Sequence, residues 1–439
     1  MSPLDPRMPC VSARVLCGLL ALCVPAACSG GSSDESAHPG MSGAAAGAAG
    51  VLAAAAGAPD APANAGASGR GGSAASSAGK GGSAEAAAGG MSGAVGSAAG
   101  QAGAPPAGAG GVSGGVAAGS GGAAAGSAGD ALPYPPASTE HRAIGTHDPS
   151  MIHVASSFYL FATGGLLGVR SSTNLAQWTN AGTIFSALPA WIKTALGQSI
   201  NDLWAPDVSF VNGTYRVYYS GSTFGSNHSV IGLATNTTLD RKDAAYAWVD
   251  QGLVIESNAA GSKDDWNAID PNAMTDAAGN WWLVFGSFWS GIKLRRLDNA
   301  TGKLSSADST LYSLAAHSGG IEAPSIISHN GYYYLFVSYD ACCKGVDSTY
   351  RTMVGRASAI TGPYTDDQGK AMLQGNALQL LAKDGRYIGP GGGSAFRDGN
   401  QYFYAYHYYD GQMNGASQLM LRPIEWQNDW PKLAAPLWQ

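Results

Sequence analysis

Five stretches of the chain share one rhythm of apolar and polar positions. Each begins with a short strand opened by a Pro-containing element: "HDPSMI" at 147, "APDVSF" at 205, "IDPNAM" at 269, "EAPSII" at 322 and "GPGGGSAF" at 389. A turn follows, "ASS", "NGT", "DAAGN", "HNG" or "RDGN", in which Asn-Gly and Asp-Gly pairs suit tight hairpins. Then comes a bulky aromatic run: "FYLFATG" at 158, "YRVYYSGS" at 215, "WWLVFGS" at 281, "YYYLFVS" at 332 and "YFYAYH" at 402. A third strand, such as "VIGLATN" or "IKLRRLD", completes most units.

A unit of three or four antiparallel strands cannot bury its faces alone, so a repeat of about sixty residues predicts radial stacking. The fold class expected is all-β, a five-bladed β-propeller, with few helical signals anywhere. In a propeller the first strand of each blade lines a central channel. Charged residues at the doorways, Asp148, Asp207, Asp270 and Glu322, are then expected to occupy equivalent places around one mouth.

Composition divides the rest of the chain. Residues 29–132 are almost all Gly, Ala and Ser. Such a segment buries too little apolar surface to offset the entropy of ordering it and reads as a disordered spacer. A silk-like stack would need a fixed period, which is not visible. Residues 1–28 carry Arg7 and Arg14 before the run "VLCGLLALCVPAAC", too short to span a bilayer, and read as an export signal. The ending "VPAAC" resembles a lipoprotein box with Cys28 as the lipidated residue, although Pro25 departs from the pattern and ordinary cleavage is the alternative. The catalytic domain is expected over residues 133–439, long enough for one large core.

Four of the six cysteines lie in the leader, leaving only Cys342 and Cys343, which either close a small disulfide ring or stay as thiols. No zinc spacing is present. A formal net charge of −6 with scattered Lys and Arg argues against a nucleic-acid partner.

Several carboxylates around one funnel repel one another and raise at least one pKa, which sets a neutral acid beside an ionised base. That pairing is what cleavage of a glycosidic bond requires. Acids beside Pro also cap loops or pair with Arg, so the set carries more weight than any one member.

The motifs "HDPS" at 147, "WAPDV" at 204, "NAIDPN" at 267, "GSFWSGI" at 286 and "GGIEAPSII" at 319 resemble glycoside hydrolase family 43, and closely its endo-1,5-α-L-arabinanases. "FVSYDACCKG" is similar to arabinanases in particular. The resemblance implies an inverting mechanism, with Asp148 as general base, Glu322 as general acid and Asp270 tuning and orienting the acid. Such a site leaves roughly 6.5 to 9.5 Å between carboxyls for a water. It gives Asp207 no catalytic role, and Asp207 is read as structural.

Asn267 and Ser287 are candidates for hydrogen bonds to sugar hydroxyls, and Phe288 and Trp289 for stacking on sugar rings, with Trp204 and His147 as further possibilities. A lone histidine on an aromatic run is ordinarily a core residue, but the resemblance implies that His407 contacts a metal, calcium, in the channel. The expected partner is the plant cell-wall polysaccharide arabinan, with the membrane reached only through Cys28. An exo-acting arabinofuranosidase or xylosidase, or a glycan-binding propeller without catalysis, is the alternative.

Overall fold

The computed structural model describes residues 142–438, and the readings of residues 1–28 and 29–132 lie outside them. The described residues form five four-stranded antiparallel sheets, each laid down in chain order, over residues 150–183, 204–257, 272–315, 321–381 and 387–433. This is a five-bladed β-propeller. One α-helix, Ala190–Leu196, lies in the connection between blades one and two. No helix among the described residues is long and apolar enough to cross a membrane.

The aromatic runs become the second strand of each blade. Thr214–Gly221, Trp281–Phe285 and Tyr332–Tyr339 are buried along nearly their whole length. A strand covered on both faces by neighbouring blades has no solvent side, so its sequence reads as a continuous apolar run rather than an alternation. Contacts between blades follow: Phe336 of blade four stacks on Tyr404 of blade five with centroids 5.1 Å apart, and the indole of Trp281 in blade three donates to the hydroxyl of Tyr218 in blade two at 3.2 Å.

The ring closes through the entry segment. The Thr146 amide donates to Ser417 O at 3.2 Å and the Leu419 amide to Ile144 O at 2.8 Å, which pairs residues 144–146 with the third strand of blade five, Ala416–Gln427. Fully buried Trp438 adds a bond from its indole to Leu419 O at 3.3 Å.

The inner strands Ser150–Val154, Trp204–Val211, Asn272–Thr275, Ile321–His329 and Tyr387–Asp398 all start at one mouth. Residues 148–149, 205–207, 270–272, 323–325 and 392–394 line a single cavity there. One position per doorway takes a left-handed backbone: Asp148 (φ 47°), Ala205 (43°), Asp270 (57°), Ala323 (52°) and Gly392 (57°). This conformation is costly for a residue with a Cβ, and more so before proline, so the surrounding bonds must hold it.

Those bonds repeat around the ring. The polar residue that ends each aromatic run receives the doorway amide of the next blade: Thr163 Oγ1 from Ala205 (2.7 Å), Ser220 Oγ from Asp270 (3.0 Å), Ser338 Oγ from Gly392 (2.8 Å) and His407 Nδ1 from Asp148 (3.1 Å). Blade three departs from the pattern. Ser287 turns its hydroxyl to Glu322, and Asp270 Oδ2 takes the Ala323 amide instead, at 3.0 Å.

This register corrects the expectation that four acids share equivalent doorways. Asp148 and Asp270 occupy the same position, just before proline. Glu322 stands one residue earlier than that position, and Asp207 two residues later. Asp207 is buried, accepting the Asn272 side chain at 2.8 Å and the Ala273 amide at 2.9 Å, which pins blade two to blade three.

Candidate active site

Asp148 is the most strongly tied acid. Its Oδ2 receives the hydroxyl of Thr163 at 2.6 Å and faces Nδ1 of His147 at 2.8 Å. Burial by itself would raise its pKa, but the His147 charge and hydrogen bond, the His407 charge and the Thr163 donor outweigh that and hold it at about 2. Asp148 is therefore a carboxylate at any ordinary pH. His147 stacks on His407 with centroids 3.8 Å apart. Burial would lower the His147 pKa, and the charge of Asp148 more than compensates, leaving it raised.

Glu322 is the opposite case. It is buried, and burial first, with the Asp148 charge added, pushes its carboxyl up against the donors that favour its ionised form. Those donors are Ser287 Oγ, 2.7 Å from Oε2, and the hydroxyl of Tyr350, which bonds Oε1. When Glu322 holds its proton, one of these hydroxyls must rotate to accept it, which both can do. Asp270 lies between the two functions. Burial, then the charges of Glu322 and Asp148, push it well above the ordinary carboxylate range, and its bond to the Ala323 amide ties it to the residue next to Glu322.

The arrangement thus separates two carboxyl groups by protonation state across one mouth, and it places a third acid where the charges of both bear on it. This is the division of labour of general acid and general base.

The other predicted residues fall in varied places. Ser287 is buried and engaged with Glu322, so it positions an acid. Phe288 and Trp289 form an exposed pair on the next turn, 39% and 48% accessible, both with left-handed backbone. Asn267 is buried, and its Oδ1 has no hydrogen-bond partner among the described residues. Trp204 packs its ring against Phe224, 69% exposed, at 5.2 Å, and forms a second aromatic surface on the loops of the same face. Both ring nitrogens of His147 are engaged, with Asp148 and with Tyr409.

Sequence reasoning missed Thr163, Tyr350 and Tyr409. Thr163 carried a signal, because a hydroxyl or His closes every aromatic run. Tyr350 and Tyr409 had none, because they meet the acids only through inter-blade contact.

His407 is fully buried, and burial keeps its pKa well below the ordinary value. Its Nε2 is buried without a hydrogen-bond partner among the described residues. His147, Asp148 and His407 place ligating atoms within 4.8 Å of one another. Since His147 is already bonded at both nitrogens and Nδ1 of His407 takes the Asp148 amide, Oδ1 of Asp148, which lies 3.6 Å from Nδ1 of His407, is what the cluster can offer a cation. Nδ1 accepts the Asp148 amide, so a neutral His407 carries its ring hydrogen on Nε2 and turns a donor, not a lone pair, to the channel. This does not fit direct ligation of calcium by His407, since calcium takes six to eight ligands, chiefly oxygen, and an N–H cannot be one of them.

A propeller that gathers one low-pKa carboxylate and two raised ones at one mouth suits the acid–base chemistry of a glycoside hydrolase. The chain belongs to the glycosyl hydrolases family 43, whose family model matches residues 143–431. It is 43% identical over 292 residues to an extracellular endo-α-(1→5)-L-arabinanase of Bacillus subtilis, covering 65% of this chain and 86% of that one. It is 36% identical over 306 residues to an extracellular exo-α-(1→5)-L-arabinofuranosidase of Cellvibrio japonicus, covering 66% and 87%. Among solved structures it is similar to an α-L-arabinanase of Cellvibrio cellulosa complexed with arabinohexaose (TM-score 0.64, 34% identity, 67% and 96% of the two chains).

Proposed function

We propose that this protein hydrolyses internal α-1,5-L-arabinofuranosidic bonds of arabinan with inversion at the anomeric carbon. The observation that carries the reading is the opposed protonation of Asp148, held ionised at about 2, and Glu322, pushed up. Arabinan as substrate is supported by relatives named for it, and an endo mode by the 43% identity to a relative named as an endo-enzyme. The exo-acting relatives favour the other mode, in which single units of fixed size leave one chain end.

In this reading Asp148 takes a proton from a water molecule as its oxygen forms the bond to the anomeric carbon. Glu322 gives its proton to the departing sugar oxygen as the old bond breaks. Asp270 orients the acid through the Ala323 amide, and its own charge state adjusts the acid's pKa. No covalent sugar-enzyme bond forms, and solvent then takes the proton from Asp148 and returns one to Glu322. Phe288 and Trp289 offer faces for sugar stacking, and Asn267 an unpaired acceptor. Export belongs to the same reading and agrees with relatives named extracellular, while anchoring through lipid on Cys28 rests on the sequence alone.

Sizing the products of linear arabinan tests it: an early ladder of oligosaccharides with a rapid fall in viscosity marks endo cleavage. Release of one short product from the start marks the exo mode, and binding without products marks a glycan-binding propeller. Proton NMR of the first products gives the anomer, β from an α bond if the site inverts.

A further inference from the structure

A chain of hydrogen bonds leads from the disulfide loop of blade four to Asp148. Cys342 and Cys343 are joined to each other, and Cys343 takes a left-handed backbone with φ 66°. The Cys343 amide donates to the hydroxyl oxygen of buried Tyr409 at 2.8 Å. That hydroxyl lies 2.9 Å from Nε2 of His147, whose Nδ1 lies 2.8 Å from Asp148 Oδ2.

The amide can only donate and the ionised Asp148 can only accept, and these two ends set the direction of the rest. Tyr409 accepts from Cys343, so its own proton is free to point at Nε2. A neutral His147 that accepts there must carry its hydrogen on Nδ1, aimed at Asp148. The other lone pairs of Oδ2 meet Thr163, so the carboxylate is clamped from two sides and Oδ1 is left toward the channel. Two residues within the small disulfide ring have little freedom to turn the Cys343 amide away.

We propose that Tyr409 and the Cys342–Cys343 disulfide act as one positioning device for the base, holding His147 in the tautomer that donates to Asp148. Blade four, which supplies the acid, thereby also orients the base on blade one. The proposal rests on the assignment of Asp148 as general base.

The test uses the full chain and two independent readings. Nitrogen-15 NMR of histidine-labelled protein, with His147 assigned by its loss in His147→Gln, reports the tautomer at a pH where the ring is neutral. The wild type should show hydrogen on Nδ1, and Tyr409→Phe should move it in part or wholly to Nε2. In kinetics on linear arabinan, Tyr409→Phe should lower kcat by about 10-fold to 10²-fold with KM within about twofold, as small misplacements of a reacting group do. Dithiothreitol, which becomes the cyclic disulfide while the protein gains two thiols, should lower kcat in the wild type. It should have no further effect on Cys342→Ser/Cys343→Ser, which starts low and retains the leader cysteines as a control. An unchanged tautomer in Tyr409→Phe, or a reduced wild type with undiminished kcat, would overturn the proposal. If Tyr409→Phe does not fold, the reduction arm decides. If the wild type does not cleave arabinan, the functional reading fails and the tautomer measurement still decides.

Discussion

Nδ1 of His407 receives the backbone amide of Asp148 at 3.1 Å, the place taken by a Ser or Thr hydroxyl at three other doorways. The histidine thus holds the base's strained turn with one nitrogen and leaves the other to the channel. His407→Ala should lower stability by about 1–3 kcal/mol, because a buried donor loses its acceptor. Loss of stability does not itself report a metal. The deciding measurement is the calcium response of the melting temperature after chelation: a rise in wild type that is absent in His407→Ala would overturn this assignment and make Nε2 a ligand, since a ligand of the folded state stabilises it by mass action. An equal response in both proteins, or none in wild type, would leave His407 as a doorway residue only.

Gly392 explains why the fifth doorway bears no side chain. A Cβ there would lie 2.4 Å from Cε1 of His407 and 2.6 Å from Oδ1 of Asp148. Gly392→Ala should therefore lower kcat at least about 10-fold by displacing the base, while the propeller still unfolds cooperatively. Wild-type kcat in this variant would show that His407 can move without disturbing Asp148.

Glu322→Gln and Asp148→Asn should each reduce kcat by about 10²-fold to 10⁴-fold, the usual worth of a general acid or base. Folding should persist in Glu322→Gln, because the hydroxyls of Ser287 and Tyr350 can turn to accept from an amide as well as donate to a carboxylate. Circular dichroism and steady-state kinetics check both points. Retention of more than about a tenth of the activity would remove the assigned role.

On the proposed mechanism, activity requires Asp148 ionised, which holds above about pH 2, and Glu322 protonated, which holds below its raised pKa. The alkaline limb of kcat against pH therefore belongs to Glu322. Ser287 donates to the carboxylate and so favours its charged form. Ser287→Ala should shift the alkaline limb to higher pH, and a limb that stays fixed or falls would mean that another group sets it.

Asp207 should give stability a pH dependence of its own. Burial pushes its carboxyl up to about 7, against the Ala273 and Asn272 donors. The native state then binds a proton that the unfolded chain releases near pH 4, so the contribution is complete below about pH 4 and is lost as pH rises through about 7. Melting temperature across that window should fall less in Asp207→Asn than in wild type, from a lower starting value because one donor loses its acceptor. Parallel curves for the two proteins would refute the assignment.

Some of this was local enough to be read along the chain. The blade count follows from aromatic runs and Pro doorways, since a strand buried on both faces must be apolar throughout and a hairpin turn acts over a few residues. Asp148, Asp270 and Glu322 stood out because a charge at the start of a buried strand needs a polar outlet. Aligning the doorways on their prolines would also have separated Asp148 and Asp270 from Glu322 and Asp207. What each acid does was decided only when the ring closed. Asp148 meets His407 across 259 residues of sequence, Tyr409 meets His147 across 262, and Tyr350 reaches Glu322 from between strands that carry no periodic mark. Protonation depends on burial and on these distant partners. No local pattern of apolar and polar positions specifies which side chains the fifth blade will press against the first.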